Sequence, residues 1–188
     1  MSTGSHEIEI KLAVANPRAA RGLLRRAGFR VWRKRVFEAN TVYDTADAAM
    51  RQTNRLLRIR EAGGKSTITY KGVPLPGPHK SREEIETEVS APGQMATIFS
   101  RLGFQPAFRY EKYRTEFREA GGVGVATVDE TPIGVFLELE GPPRWIDRTA
   151  LRLGFTQADY ITASYGRLYF EWRQTHGESP ANMVFRGG

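Results

Sequence analysis

The stretch HEIEIKL, residues 6–12, alternates charged and apolar side chains without a break. Residues i, i+2 and i+4 of a β-strand share a face, so Glu7, Glu9 and Lys11 lie on one side of this predicted strand and its aliphatic side chains on the other. A half-buried antiparallel sheet shows the same alternation with a mixed polar face. Here the polar face carries only carboxylates and a lysine. Other predicted strands of the chain also have a face made almost entirely of charged residues.

Seven further stretches have strand-like alternation, and most of them carry a charged face. The predicted strands are residues 6–14, 31–43, 55–60, 66–71, 82–89, 108–118, 123–129 and 135–140. The charged faces carry Arg58 and Arg60, Arg82 with Glu84 and Glu86, Lys112 and Arg114, Asp129, and Glu138 and Glu140. Solvent-facing sides normally mix serine, threonine and glutamine with charges, so charges sorted by strand indicate a shared interior.

Helical spacing separates the strands at residues 17–28, 92–102, 144–153 and 164–172, and the first three of these helices end at glycines. Eight strands with a few helices predict an α+β fold built on a large antiparallel sheet or barrel. A closed eight-stranded barrel with a charged lumen and helices packed outside explains both faces of the strands. Charges inside such a lumen must be paired or must bind ions.

The acidic set suits a hard divalent cation, which binds carboxylate oxygens. The basic set suits a polyanion, most naturally phosphates. A site that needs both indicates a polyphosphate substrate and the chemistry of phosphoryl or nucleotidyl transfer.

The composition fits a soluble globular chain: 40% of the 188 residues are hydrophobic and the net charge is +7. The chain has no cysteine, which excludes disulfides and a thiolate metal site. No apolar run is long enough to span a bilayer, and residues 1–12 lack the apolar core of a signal peptide. We therefore expect a cytoplasmic location and no membrane partner.

Several short motifs, in order, resemble the CYTH superfamily, the triphosphate tunnel metalloenzymes. The resemblance covers about residues 6–170. Its motifs are Glu7-Ile8-Glu9-Ile10-Lys11, Tyr43-Asp44-Thr45, Leu57-Arg58-Ile59-Arg60, Thr69-Tyr70-Lys71-Gly72, Ser81-Arg82-Glu83-Glu84, Glu111-Lys112-Tyr113-Arg114, Asp129 with Gly134, Glu138-Leu139-Glu140, and Ser164-Tyr165 with Leu168. The expected organisation is a single CYTH-like domain over residues 1–173 and a polar tail over 174–188.

The resemblance implies an eight-stranded tunnel that binds a triphosphate together with Mg²⁺ or Mn²⁺. The implied metal ligands are Glu7, Glu9, Asp129, Glu138 and Glu140. The implied phosphate-binding residues are Lys11, Arg58, Arg60, Lys71, Arg82, Lys112 and Arg114. Some members activate water with a first-strand lysine and a tyrosine, for which Lys11 and Tyr43 are the candidates, with Val42 as an alternative occupant of the tyrosine's position.

Three functions remain open on the sequence. The favoured one is a metal-dependent triphosphatase acting on inorganic, thiamine or nucleoside triphosphate. The second is a class IV adenylyl cyclase that makes cyclic AMP from ATP, which needs the same residues. The third is a non-catalytic polyphosphate or nucleic-acid binding module, which does not explain the acidic residues. We expect a small triphosphate partner rather than a nucleic acid, and a homodimer is compatible with the sequence.

Overall fold

Eight antiparallel strands close into a barrel in the computed structural model, which describes residues 5–177 and 181–185. Around the barrel the strand order is β1-β5-β4-β3-β2-β6-β7-β8, and β8 returns to pair with β1. The strands are β1 (Ser5–Val14), β2 (Arg30–Thr45), β3 (Leu56–Ala62), β4 (Lys65–Lys71), β5 (Lys80–Glu88), β6 (Phe104–Arg118), β7 (Val125–Thr131) and β8 (Gly134–Glu140). The predicted α+β fold with a closed eight-stranded barrel is confirmed.

Five α-helices and one short 3-10 helix occur in the described ranges. They are α1 (Pro17–Arg26), α2 (Ala49–Gln52), α3 (Pro92–Arg101), α4 (Pro143–Arg152), α5 (Tyr165–His176) and the 3-10 helix (Gln157–Asp159). Side-chain caps start two of the helices: Asn16 accepts from the Ala19 N–H at 2.9 Å before α1, and Ser164 accepts from the Arg167 N–H at 3.3 Å before α5. None of the described helices has the length and apolar character needed to cross a bilayer.

The apolar faces of the strands point outward and are covered by helices. Ile10, Leu12 and Leu137 of the barrel pack with Leu24 of α1 and Ile146 of α4, and each of these side chains is fully buried. A second outer cluster joins β2 and β3 to α3. The hydrophobic core therefore lies between barrel and helices, which leaves the lumen to the polar faces.

The helix α5 closes one end of the lumen. Tyr165 and Tyr169 pack against Tyr110 of β6 and Phe136 of β8 in a third apolar cluster. Met183, which belongs to the predicted polar tail, is fully buried in the same cluster and pairs with β6 through the backbone of Arg109 and Glu111. Residues 181–185 thus contact the barrel, a contact that the polar composition of the predicted tail did not indicate.

Two departures from the predicted elements have local causes. The strands β2 and β6 are longer than predicted because they pair with each other over almost their whole length, from Arg30 with Arg118 to Thr45 with Phe104. The helix α2 was not predicted. It is a single turn whose backbone N–H groups at Met50 and Arg51 bond to the Asp44 carboxylate, at 2.8 and 3.0 Å.

Candidate functional site

The lumen is lined by the charged faces of the strands. Buried cations there include Lys11, Arg58, Lys71, Arg82 and Lys112, and the buried anions include Glu9, Glu38, Asp129 and Glu138. Strand alternation turns each of these side chains to the face opposite the outer core. The sequence-predicted charges on seven strands, all except β2, are therefore brought to one interior, where most of them pair across strands.

Asp129 of β7 is the most heavily bonded of these groups. It is fully buried, and its two oxygens accept from Arg114 Nε and Nη2 at 2.7 and 2.6 Å, from Lys112 Nζ at 2.6 Å, and from the Tyr165 hydroxyl at 2.7 Å. Burial opposes the charged form of Asp129, but Arg114 and Lys112 outweigh it and lower the pKa of this carboxyl. Asp129 therefore organises the lumen cations of β6.

Lys11 of β1 lies between two carboxylates. Its Nζ is 3.3 Å from Glu9 Oε1 and 3.3 Å from Glu138 Oε1. Burial favours the neutral amine, but these two carboxylates outweigh it and raise the pKa of Lys11 above the ordinary lysine value. Lys11 is accordingly a fixed cation in this arrangement.

Lys80 of β5 reaches the same carboxylate from the other side, with its Nζ 3.0 Å from Glu9 Oε1. Burial first, and then the positive charges of Lys11 and Arg82, lower the pKa of Lys80 to about 8 despite the Glu9 contact. Lys80 was not among the sequence-predicted site residues, because the predicted strand began at Arg82. The alternation of Lys80 with Arg82 was the signal that would have found it.

Two basic groups hold Glu7. Lys71 Nζ donates to Glu7 Oε2 and is 3.1 Å from Glu84 Oε2, while Arg82 Nε is 3.9 Å from Glu7 Oε2. Burial raises the pKa of Glu84, Lys71 opposes this, and the nearby Glu7 adds to the rise. Glu7 and Glu84 therefore share Lys71 as a common counterion, and Arg82 places a second positive charge near Glu7.

Within residues 5–177 and 181–185, several lumen donors are buried without an acceptor. Arg58 donates to the Tyr110 hydroxyl at 3.0 Å and to Thr69 Oγ1 at 2.9 Å, yet its Nε has no hydrogen-bond partner in these ranges. Arg82 Nε and Asn40 Nδ2 are also without one, although Asn40 accepts from Arg60 Nε at 3.1 Å. An unsatisfied buried donor is costly. These donors fit the oxygens of an anion in the lumen.

Glu140 has the donor chemistry for a divalent cation. Among the described residues it makes no ion pair, and burial together with the like charges of Glu7 and Glu9 raises its pKa to about 7. A hard divalent cation would relieve the repulsion between Glu140 and the neighbouring carboxylates. The described part of the chain holds no group of three acidic or histidine side chains already gathered for a metal. Glu9 and Glu138 would therefore have to give up their contacts with Lys11 in order to bind a cation together with Glu140.

The family comparison agrees with this geometry. Residues 5–145 match the model of the CYTH domain. The chain belongs to the CYTH domain family. A protein of Methanocaldococcus jannaschii named "Putative adenylate cyclase MJ0240" is 31% identical over 134 residues, which cover 71% of this chain and 75% of that protein.

Solved structures with this fold include proteins described as adenylate cyclases and proteins of Pyrococcus horikoshii. The PH1819 protein of Pyrococcus horikoshii has a TM-score of 0.74 and 25% identity, with 89% of this chain and 99% of that chain covered. A Hippeastrum protein described as an adenylyl cyclase with a dominant triphosphatase activity has a TM-score of 0.63 and 22% identity, with 93% and 98% covered. At that identity the Hippeastrum protein supports the fold alone.

Tyr43 is the sequence-predicted site residue that the structure does not bring to the tunnel of this CYTH domain. It is buried on the outer face of β2, with its ring centroid 5.1 Å from that of Phe99 in α3. The placement follows from strand alternation, since Asn40 and Val42 turn inward and Tyr43 therefore turns outward. The other sequence-predicted site residues lie in the lumen or at its mouth.

The tyrosines that do face the tunnel are Tyr110 and Tyr165. The Tyr165 hydroxyl donates to Asp129, and burial raises its pKa well above the ordinary value. Burial also raises the pKa of Tyr110, but Arg58, Arg60 and Lys112 outweigh it and lower that pKa. Sequence alternation with Lys112 was the signal for Tyr110.

Proposed function

We propose that this CYTH domain is a divalent-metal-dependent triphosphatase that holds a triphosphate chain inside the barrel. One observation carries the proposal. In the part of the chain that the structure describes, the buried donors Arg58 Nε and Arg82 Nε have no acceptor, and Glu140 of the same lumen makes no ion pair. Phosphate oxygens would accept from the arginine donors, and a divalent cation would neutralise Glu140. A metal–triphosphate complex supplies the anion and the cation together.

In this proposal Arg58, Arg60 and Arg82 bind phosphate oxygens on one side of the lumen. Lys71 and Lys80 extend that basic surface, and fork-shaped guanidinium groups suit phosphate geometry. A second group, Lys11, Lys112 and Arg114, lies opposite and is oriented by the carboxylates it contacts. These cations stabilise the charge that shifts onto phosphate oxygens as a phosphorus–oxygen bond breaks.

Glu7, Glu9, Glu138 and Glu140 would hold Mg²⁺ or Mn²⁺, with Asp129 orienting the cations beside them. When bound, the cation neutralises phosphate charge and polarises the phosphoryl oxygens. Lys11 keeps its proton in the arrangement seen here, so its proposed role is to bind phosphate. Tyr110, with a lowered pKa and a hydroxyl that accepts from Arg58, replaces Tyr43 as the candidate for the tyrosine that helps to activate water.

The second candidate is adenylate cyclase activity, in which the ribose 3′-hydroxyl of ATP replaces water as the nucleophile. The name of the Methanocaldococcus jannaschii relative favours it. The same cations and carboxylates would serve, so the lumen alone does not separate the two. A non-catalytic polyanion binder is the third, and the carboxylates of β1 and β8 count against it.

The deciding experiment incubates the protein with tripolyphosphate, ATP and thiamine triphosphate, each with Mg²⁺ or Mn²⁺, and identifies the products by chromatography. Orthophosphate released from any of the three supports the triphosphatase. Cyclic AMP and pyrophosphate from ATP support the cyclase instead. Binding of tripolyphosphate that divalent metal weakens, without any product, supports the non-catalytic binder.

A further inference from the structure

The N-terminal part of β2 extends past the end of its neighbour β3. The strand β2 pairs with β3 only from Glu38 onward, whereas its pairing with β6 starts at Arg30. The register shifts between Val31 and Arg33, so that Trp32 is an extra residue between two paired positions. A bulge of this kind re-aims a side chain.

The face of β6 beside this extension is continuous with the lumen. Phe117 is fully buried in the outer core, so Glu116 and Arg118 lie on the opposite face, the one that carries Lys112 and Arg114. Arg118 places its guanidinium carbon 4.7 Å from the ring centroid of Trp32. Trp32 therefore lies at the mouth of the lumen, at the end away from α5.

Trp32 is held in place but open to solvent. Its relative exposure is 58%, although the Arg118 cation covers one face of the ring. Beside it, Glu116 is fixed by Arg33 Nη1 at 3.2 Å. Cation–π contact orients an indole and leaves its second face available for another ring.

We propose that Trp32, oriented by Arg118, is a stacking platform for the planar heterocycle of an organic triphosphate. The proposal rests on the proposed function, since it places the phosphates in the lumen. From Arg114, a lumen cation, to Arg118 is four residues, or roughly 13 Å of strand. An extended triphosphate whose phosphates are bound near Arg114 would therefore direct its sugar and ring toward the mouth.

Stacking on an aromatic platform tolerates every base, because each has a π-face. The substrate class is therefore a nucleoside triphosphate, or another triphosphate with a flat ring, without selection among bases at Trp32 itself. Inorganic tripolyphosphate has no ring to place there. We consequently expect Trp32 to control the ratio of kcat/KM for a nucleoside triphosphate to kcat/KM for tripolyphosphate.

The test compares kcat/KM for ATP and for tripolyphosphate, under one metal condition, in the wild type, Trp32→Ala and Trp32→Phe. Stacking contributions predict that Trp32→Ala lowers the ATP-to-tripolyphosphate ratio by about five-fold or more, while Trp32→Phe keeps most of it. The matched control is Phe170→Ala, an exposed aromatic of α5, which should leave the ratio at the wild-type value. An unchanged ratio in Trp32→Ala overturns the platform, even if both substrates are turned over more slowly.

A binding measurement keeps the platform testable if neither substrate is turned over, an outcome that counts against the proposed function. Tryptophan fluorescence is titrated with ATP and with tripolyphosphate in the wild type and in Trp32→Phe. Quenching by ATP that exceeds quenching by tripolyphosphate, and that is lost in Trp32→Phe, supports the platform. Equal quenching by ATP in the two proteins, or no quenching in either, overturns it.

Discussion

Arg114 and Asp129 form a two-pronged ion pair inside the barrel, with Nε to Oδ1 at 2.7 Å and Nη2 to Oδ2 at 2.6 Å. Asp129 is fully buried and also accepts from Lys112 and Tyr165. Its lone pairs are thus committed to lumen donors. The resemblance implied a metal ligand at this position, whereas the contacts favour a positioning role.

Asp129→Asn should therefore destabilise the metal-free protein. Removing one partner of a buried ion pair leaves the others uncompensated, which costs about 3–5 kcal/mol. Urea unfolding in a chelator measures the change, and Glu171→Gln is the control because its ion pair with Arg167 is exposed. Metal-free stability equal to the wild type would mean that the Arg114 pair contributes little and that Asp129 serves mainly as a ligand.

Glu140 should respond in the opposite direction. Partial burial of its carboxyl, together with Glu7 and Glu9, raises its pKa, and the solvent that reaches Glu140 at the mouth weakens these interactions. Glu140→Gln should therefore stabilise the metal-free protein by a few tenths to about 1 kcal/mol. Added Mg²⁺ or Mn²⁺ should raise the unfolding temperature of the wild type more than that of the variant. Equal metal-induced shifts in both proteins would remove Glu140 from the metal site.

Acid stability should depend on Glu38. Burial opposes its charge, but Lys112, Arg114 and Arg60 outweigh burial and lower its pKa from 4.5 to about 2. As pH falls, the unfolded chain takes up this proton first, so the stabilisation present above pH 4.5 is lost toward pH 2. Glu38→Gln should cost up to about 3 kcal/mol at pH 7 and flatten the pH dependence in that window.

The check is urea unfolding at a series of pH values, with the exposed Glu61→Gln on the adjacent strand as the control. Parallel stability curves for wild type and Glu38→Gln between pH 4.5 and 2 would show that the pKa of Glu38 is not lowered by folding.

Gly124 tests the packing of the barrel against α4. A Cβ placed there would lie 2.5 Å from the ring of the buried Trp145, so that the ring or the strand must move. Gly124→Ala should destabilise the protein by about 1–3 kcal/mol. Gly93→Ala should be neutral or slightly stabilising in thermal unfolding, because no atom of the described residues would lie within 4 Å of the added Cβ. Equal stability of the two variants would contradict the close contact.

The barrel could be predicted from the sequence because period-2 alternation separates the two faces of each strand. In this protein the apolar face packs against the helices outside the barrel, and the charged face lines the lumen. Lys11, Arg58 and Glu138 were all found in this way. Lys80 was missed because the strand boundary was set two residues late. The outward position of Tyr43 was not predicted, since the irregularities of β2 obscure the parity of that strand.

The ion-pair partner of each charge in the lumen could not be predicted from the sequence, because it depends on strand order and register. Strand order brings Lys71 and Glu7 together across β5, although they are 64 residues apart. The burial of Met183 depends likewise on the free edge that β6 offers at Arg109 and Glu111. Neither relationship leaves a periodic signal.

The most direct test of the central claim is phosphate release from tripolyphosphate by the wild type, Arg58→Ala and Arg25→Ala, with Mn²⁺ or Mg²⁺ and with a chelator. The account predicts metal-dependent release by the wild type and by Arg25→Ala, which changes an exposed residue of α1. Arg58→Ala should be ten- to thousand-fold slower, which corresponds to a loss of about 1.4–4 kcal/mol in transition-state stabilisation. No release by the wild type, release that survives the chelator, or equal rates in the two variants would contradict it.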